Sequence, residues 1–198
     1  KTHSMYSQHN EDSYLIDLIR NRKLKVTPTF ADFGACDGVH LSNTRAFAEL
    51  GWSGVMVEPS PAYFEQLQNN YAHRKDIRTI NAAVSDIDGE ATFYYDPDRP
   101  DHSSLIKGKG NIKPLTVKLV AAQDIIPVPC GLLSIDVEGM EAVILNELFY
   151  KAIYPEIIIT QSNDVASRYD QIELLNGEYH LINVLDVNTI WVRRDKWM

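Results

Sequence analysis

Cysteine is scarce in this 198-residue chain: Cys36 and Cys130 are the only two, far apart and without metal-ligand spacing. A disulfide framework is therefore not expected, and a reducing, cytoplasmic location is the simpler reading. Long apolar runs are also missing. The apolar stretches are strand-sized, as at residues 157–159, far short of the roughly 20 residues of a membrane-spanning helix. The first ten residues are polar and lack the apolar core of a secretory signal, but the chain opens on Lys1, which leaves a trimmed targeting segment open. Ten Gly and nine Pro are too few for a collagen-like or low-complexity chain. Basic residues are outnumbered, 19 against 27, for a net charge of −8. That balance argues against a protein whose main task is gripping nucleic acid phosphates, so no nucleic acid partner is expected.

What remains has the composition of a folded globular protein, 44% hydrophobic and 23% charged. A single domain over residues 1–198 is expected, with residues 1–25 as an N-terminal helical segment. Strand-like and helical patterns alternate, which predicts an α/β domain with a largely parallel sheet. Strands are expected at residues 27–33, 54–58, 76–84, 91–95, 115–120, 132–136 and 156–160. Helices are expected at 42–50, after Ser60-Pro61 with Phe64, Leu67 and Tyr71 on the buried face, and at 140–148 and 165–175. Ser60 before Pro61 reads as an N-cap with Pro at the first helical position. Two last strands, 179–184 and 189–193, flank a hairpin turn at Asp186-Val187-Asn188.

The strongest chemical signal is Asp32-Phe33-Gly34-Ala35-Cys36-Asp37-Gly38, between a strand and a helix. Two glycines there let the backbone turn tightly and approach a ligand. The spacing is neither the G-x-G-x-x-G of a dinucleotide site nor a P-loop. Asp32 and Asp37 would repel a pyrophosphate but suit a cationic ligand, such as a sulfonium carrying an α-amino group. Glu58 ends the second strand, where an acid can accept both hydroxyls of a ribose. Alanines in Asn81-Ala82-Ala83-Val84-Ser85 leave room for a flat adenine ring, or simply pack against a helix. Ser134-Ile135-Asp136-Val137-Glu138-Gly139-Met140-Glu141 brings Asp136 and Glu138 to the end of the fourth strand, while Glu141 suits the positive end of the next helix. Residues 96–114 form a long polar loop carrying His102, Ser103, Ser104, Lys107, Lys109 and Lys113. Such a loop is often a substrate lid; His102 is either a general base or simply exposed.

Three ordered blocks resemble the FkbM family of S-adenosylmethionine-dependent methyltransferases. They are Asp32 to Gly38 with Ser42-Asn43-Thr44, Gly51-Trp52-Ser53-Gly54-Val55-Met56-Val57-Glu58-Pro59-Ser60-Pro61, and Ile135-Asp136-Val137-Glu138-Gly139-Met140-Glu141. The resemblance runs from Ser7-Gln8 to about Thr160. It implies a class I methyltransferase (Rossmann-like) fold: a mostly parallel seven-stranded sheet with an antiparallel last strand and helices on both faces. It also implies S-adenosyl-L-methionine as cofactor, the loop Gly34 to Gly38 facing its methionine part and Glu58 its ribose. Asp32, Gly34, Ala35, Asp37, Gly38, Ser42, Glu58, Pro59, Ser60, Ala83, Val84, Asp136 and Gln8 are the expected cofactor residues. Glu138, Asp136 and His102 are the candidates for removing a proton from the acceptor; two carboxylates alone do not argue a metal. The implied reaction is O-methylation of a sugar, glycolipid or secondary metabolite, a small-molecule or glycan acceptor. One departure matters: relatives usually carry His where this chain has Met140. A cofactor-binding module that no longer methylates, and a nicotinamide-dependent oxidoreductase on a similar sheet, are the competing readings.

Overall fold

The computed structural model describes residues 6–97, 103–107, 111–162 and 165–197. Its elements run α1 (Glu11–Arg22), β1 (Thr29–Phe33), α2 (Arg45–Glu49), β2 (Ser53–Val57), α3 (Pro61–Tyr71), β3 (Ile77–Ile80), β4 (Ala83–Ser85), β5 (Gly89–Tyr95) and β6 (Lys113–Ala121). They continue through α4 (Ala122–Ile125), β7 (Leu132–Ile135), α5 (Glu141–Tyr150), β8 (Ile157–Gln161), α6 (Val165–Leu175), β9 (Tyr179–Leu185) and β10 (Asn188–Arg193).

Seven strands form the main sheet in the order β3-β2-β1-β7-β8-β10-β9. The pairs β2/β3, β1/β2, β1/β7 and β7/β8 are parallel, and β10 runs antiparallel to both β8 and β9. β7 and β8 are apolar almost throughout because helices cover both sides of the sheet. Side-chain alternation divides each strand between two cores. Ala31, Phe33, Leu133 and Ile135 meet Ile144, Leu145 and Leu148 of α5 on one face, while Phe30, Met56 and Leu132 meet Leu15, Phe47 and Leu67 on the other. The amphipathic spacing read for α3 is thus met: Leu67 and Tyr71 are buried, and Phe64 packs partly against the same core.

The expected strand at 76–84 is two strands. β3 stays in the main sheet, whereas β4 joins a second sheet ordered β4-β6-β5. The chain breaks at Asn81, whose Nδ2 donates to the carbonyls of Glu58 (2.8 Å) and Pro59 (3.2 Å). That side chain ties the break to the end of β2. The small sheet has its own apolar contacts around Ala83, Phe93, Val117 and Leu119, and it stands beside the carboxyl ends of the parallel strands. The N-terminal segment crosses the same edge: Ser7 bridges to Leu41, and Glu11, fully buried, accepts from Asn188 Nδ2 at 2.6 Å.

Candidate functional site

Asp32 near the end of β1 is buried and accepts from Thr44 Oγ1 at 2.5 Å. Burial pushes its carboxyl up to about 6, against the opposing pull of the Thr44 and Ser134 hydroxyls. The chain then turns at Gly34, φ +84°, where a Cβ would lie 1.9 Å from the carbonyl oxygen of Asp136. Glycine is required here because the loops after β1 and β7 touch backbone to backbone. Asp37 Oδ1 accepts the amides of Val39 and His40, both at 2.8 Å, which curls the loop. Ser42 Oγ accepts from Arg45 N at 3.1 Å and fixes the entry to α2.

Glu58, the residue after β2, is 5% exposed. Its Oε2 accepts from Cys36 N at 2.9 Å and its Oε1 from Ser60 N at 2.8 Å. Each oxygen keeps a lone pair for a further donor. Burial pushes this carboxyl up to about 7; the two backbone amides pull it down, and the nearby Asp32 adds a smaller upward push. Ser60 sits at the N-cap position as expected, but its hydroxyl makes no cap bond, and Ser60 Oγ is buried without a hydrogen-bond partner among the described residues. Entry into α3 rests on Pro61 at the first helical position and on the Phe64 N to Ser60 O bond, 2.8 Å.

After β7, the peptide Asp136 to Gly139 forms a tight turn. Glu138 has φ +56° and Gly139 φ +112°. A left-handed glutamate costs about 1–2 kcal/mol and persists only where its surroundings hold it. Glu141 does the holding: its buried carboxylate accepts from Val137 N at 3.0 Å and from Gly139 N at 3.0 and 3.2 Å. The expectation of a favourable charge at the start of α5 is refined into a specific bracket for this turn.

Two cavities meet along these loops. One is a narrow slot with walls from Val57, Glu58, Pro59, Ala82, Ala83, Val84 and Phe93, with Ser103 and Leu105 also lining it. The other, a larger cleft, is lined by Gln8, Asp32, Ala35, Asp37, Ser42, Gln161, Asp186 and Asn188, among others. Gly34, Cys36, Asp136 and Glu138 line both and stand at the junction. Of the residues expected from sequence, Gly38 and Ser60 line neither. Gly38 (φ +72°) instead makes room for Leu67 and Tyr71, to which a Cβ would come within 2.5 and 2.6 Å. His102 lies outside the described residues. The expected list omitted Cys36, Phe93, Leu105, Gln161 and the Asp186–Asn188 turn. Cys36 could have been found, since its φ of +49° follows from its place inside the glycine loop. Phe93 could not, because nothing in the sequence shows that β5 folds back over the end of β2.

The chemistry of these walls fits a cationic adenosine compound. Neither cavity is lined by Lys or Arg among the described residues, while five carboxylates line the cleft. Glu58 offers two acceptor oxygens beside the apolar walls of Val57, Ala83, Val84 and Phe93. Among the described residues no group of three or more His, Cys, Asp and Glu is placed to hold a metal ion. No described helix is long and apolar enough to cross a membrane.

A parallel sheet with its one antiparallel strand inserted next to the edge, and acids crowning the ends of β1, β2 and β7, is the architecture of class I methyltransferases. The chain belongs to the Methyltransferase FkbM domain family, whose model matches residues 32–180. Among solved structures, methyltransferase FkbM from Methylobacillus flagellatus superposes with a TM-score of 0.52 at 13% identity, over 83% of this chain and 43% of that one. The present chain therefore spans less than half of that protein's length. Precorrin-6y C5,15-methyltransferase from Geobacter metallireducens gives 0.54 at 12% identity, over 98% of this chain and 93% of the other. A candidate RNA methyltransferase from Pyrococcus horikoshii gives 0.50 at 10%, covering 93% and 83%. At these identities the likeness is one of fold. No curated protein matches the chain by sequence.

Proposed function

We propose that the protein transfers the methyl group of S-adenosylmethionine to a hydroxyl of a small-molecule or glycan acceptor, a sugar, glycolipid or secondary metabolite. The observation that carries this reading is the junction: Asp136 and Glu138 line both the slot beside Glu58 and the open cleft. In it, Glu58 accepts the ribose hydroxyls, the walls at Ala83, Val84 and Pro59 take the adenine, and Asp32 with the loop from Gly34 faces the methionine end. The cofactor, when bound, supplies an electrophilic methyl on a sulfonium whose positive charge vanishes on transfer.

The chain's own part is chiefly to position the acceptor and to take its proton. Alignment of the reacting atoms is worth several kcal/mol of barrier. Glu138 is the proposed proton acceptor, held at the junction by the turn that Glu141 brackets, with Asp136 as the second candidate. The open cleft offers hydroxyl-binding groups in Gln8, Asn43, Gln161 and Asn188 and carries no wall cation among the described residues. Those features favour a neutral, hydroxyl-rich acceptor over a phosphate-bearing one.

Met140 does not favour a silent module. It packs partly against the apolar core and lines neither cavity, so the cleft wall does not depend on position 140. The test is a panel of hydroxyl-bearing acceptors incubated with S-adenosylmethionine, with demethylated cofactor measured as product. Glu138→Gln is expected to cut turnover at least tenfold and to leave cofactor affinity within about twofold. Unchanged turnover removes Glu138 from the role. A wild-type protein that binds no cofactor in calorimetry overturns the reading altogether.

A further inference from the structure

The segment 103–107 lies after β5, and its backbone returns to that strand: Tyr94 N donates to Ser104 O at 2.8 Å and Ser104 N to Tyr94 O at 3.3 Å. Ser103 Oγ accepts from Asp96 N at 2.9 Å, so the return is fixed at a second point. From this position Ser103 and Leu105 line the slot together with Phe93. The same few residues also reach across to the turn after β7. Ser104, 8% exposed, donates its hydroxyl to the carbonyl of Glu138 at 2.8 Å and accepts from Ile106 N at 3.0 Å. The Ile106 side chain fills the space over Gly139, where a Cβ would meet its Cδ1 at 2.7 Å.

The turn carrying Glu138 is thus held from two directions, by Glu141 beneath and by Ser104 and Ile106 above. Glu141 belongs to α5 and is rigidly placed. Ser104 belongs to the roof of the slot.

We infer that Ser104 is a positioning residue that couples occupancy of the adenosine slot to the placement of Glu138, so that the proton acceptor is set only when the cofactor is seated. The inference rests on the methyl-donor reading above and gives the 103–107 segment a role on the cofactor side, beyond that of a substrate lid. The coupling is carried by the Ser104 side chain, which holds the Glu138 carbonyl directly and Ile106 through its amide, because the strand-like bonds between Ser104 and Tyr94 are made by backbone and survive substitution.

The probe is S-adenosylhomocysteine, with binding measured by calorimetry and amide hydrogen exchange followed in peptides covering 103–107 and 136–141. In the wild-type protein the probe is expected to slow exchange in both peptides. Ser104→Ala removes both bonds of that hydroxyl and is expected to weaken binding by about three- to tenfold. At saturating probe it should also abolish the slowing in 136–141. Ser104→Thr, which keeps the hydroxyl, is expected to restore both, which a merely structural effect of the side chain would not do. An alanine variant that still transmits the slowing to 136–141 overturns the inference while leaving the methyl-donor reading intact. A wild-type protein that does not bind the probe overturns both.

Discussion

Replacing Glu58 with Gln separates the cost of the site from its use. The carboxyl is 5% exposed and is held up to about 7 against an ordinary 4.5, chiefly by burial. A folded pKa above the unfolded one means stability is full below about 4.5 and is lost as pH rises to about 7. Carrying the charge above that range costs on the order of 3 kcal/mol. The variant has no such charge. Its amide nitrogen, however, must face the N–H of either Cys36 or Ser60, donor against donor, which costs about 1–3 kcal/mol at every pH. Urea unfolding should therefore find Glu58→Gln less stable than wild type at pH 5 and about equal to it at pH 8. The gap should change by about 2–3 kcal/mol between the two. Asp32 titrates in both proteins and largely cancels in the difference. On the proposed reading, calorimetry at pH 8 should find S-adenosylhomocysteine bound at least about tenfold more weakly, since the charge-assisted bonds proposed to the ribose hydroxyls are lost. A stability gap that stays constant across that pH range would refute the buried-charge argument, whatever happens to binding.

Gly34→Ala puts a methyl 1.9 Å from the Asp136 carbonyl at φ +84°; a loss of more than about 3 kcal/mol is expected, and a melting temperature near wild type would show that the β1 and β7 loops do not meet. Thr44→Val removes the 2.5 Å bond to Asp32. It should cost about 1.5–3 kcal/mol where Asp32 is ionised and raise the Asp32 pKa above about 6. If the ionised form of Asp32 is what meets the cofactor, the pH at which affinity for S-adenosylhomocysteine sets in should rise with it, and an unshifted pH profile would separate Asp32 from cofactor binding.

The sequence made the main sheet legible because its strands are buried on both faces and read as unbroken apolar runs, as at Ile157, Ile158 and Ile159. The acids at strand ends were legible for the opposite reason: Asp32, Glu58 and Asp136 interrupt those runs abruptly. What could not be read was long-range closure. Ala91 to Tyr95 alternates like any strand, and nothing local says that it pairs with β6 in a separate sheet and turns Phe93 into the slot. Gly38 lines neither cavity, and its positive φ and missing Cβ serve the packing of Leu67 and Tyr71, a partner the local sequence does not show. Glu141 was read as a partner of the helix dipole, while its carboxylate in fact fixes two amides of the turn before it.

The electrostatics of the two cavities bear on why such a site would be built from acids held by hydroxyls and amides rather than by Arg or Lys. Asp32 and Glu58 both have raised pKa values, and for both the first cause is removal from water rather than repulsion. A buried carboxylate is usually offset by Arg or Lys, yet no such residue lines either cavity among the described ones. The hydroxyl of Thr44 and the amides of Cys36 and Ser60 offset only part of the cost. On the proposed methyl-donor reading, an incoming cation would complete the compensation, with its binding linked to ionisation of the acids around it. A neutral or anionic adenosine compound of the same shape lacks that term. Demethylated cofactor has lost the sulfonium charge, so it should bind less tightly than the donor in proportion to how strongly the acids sense that position. On the proposed methyl-donor reading, the same arrangement would favour release of the demethylated product.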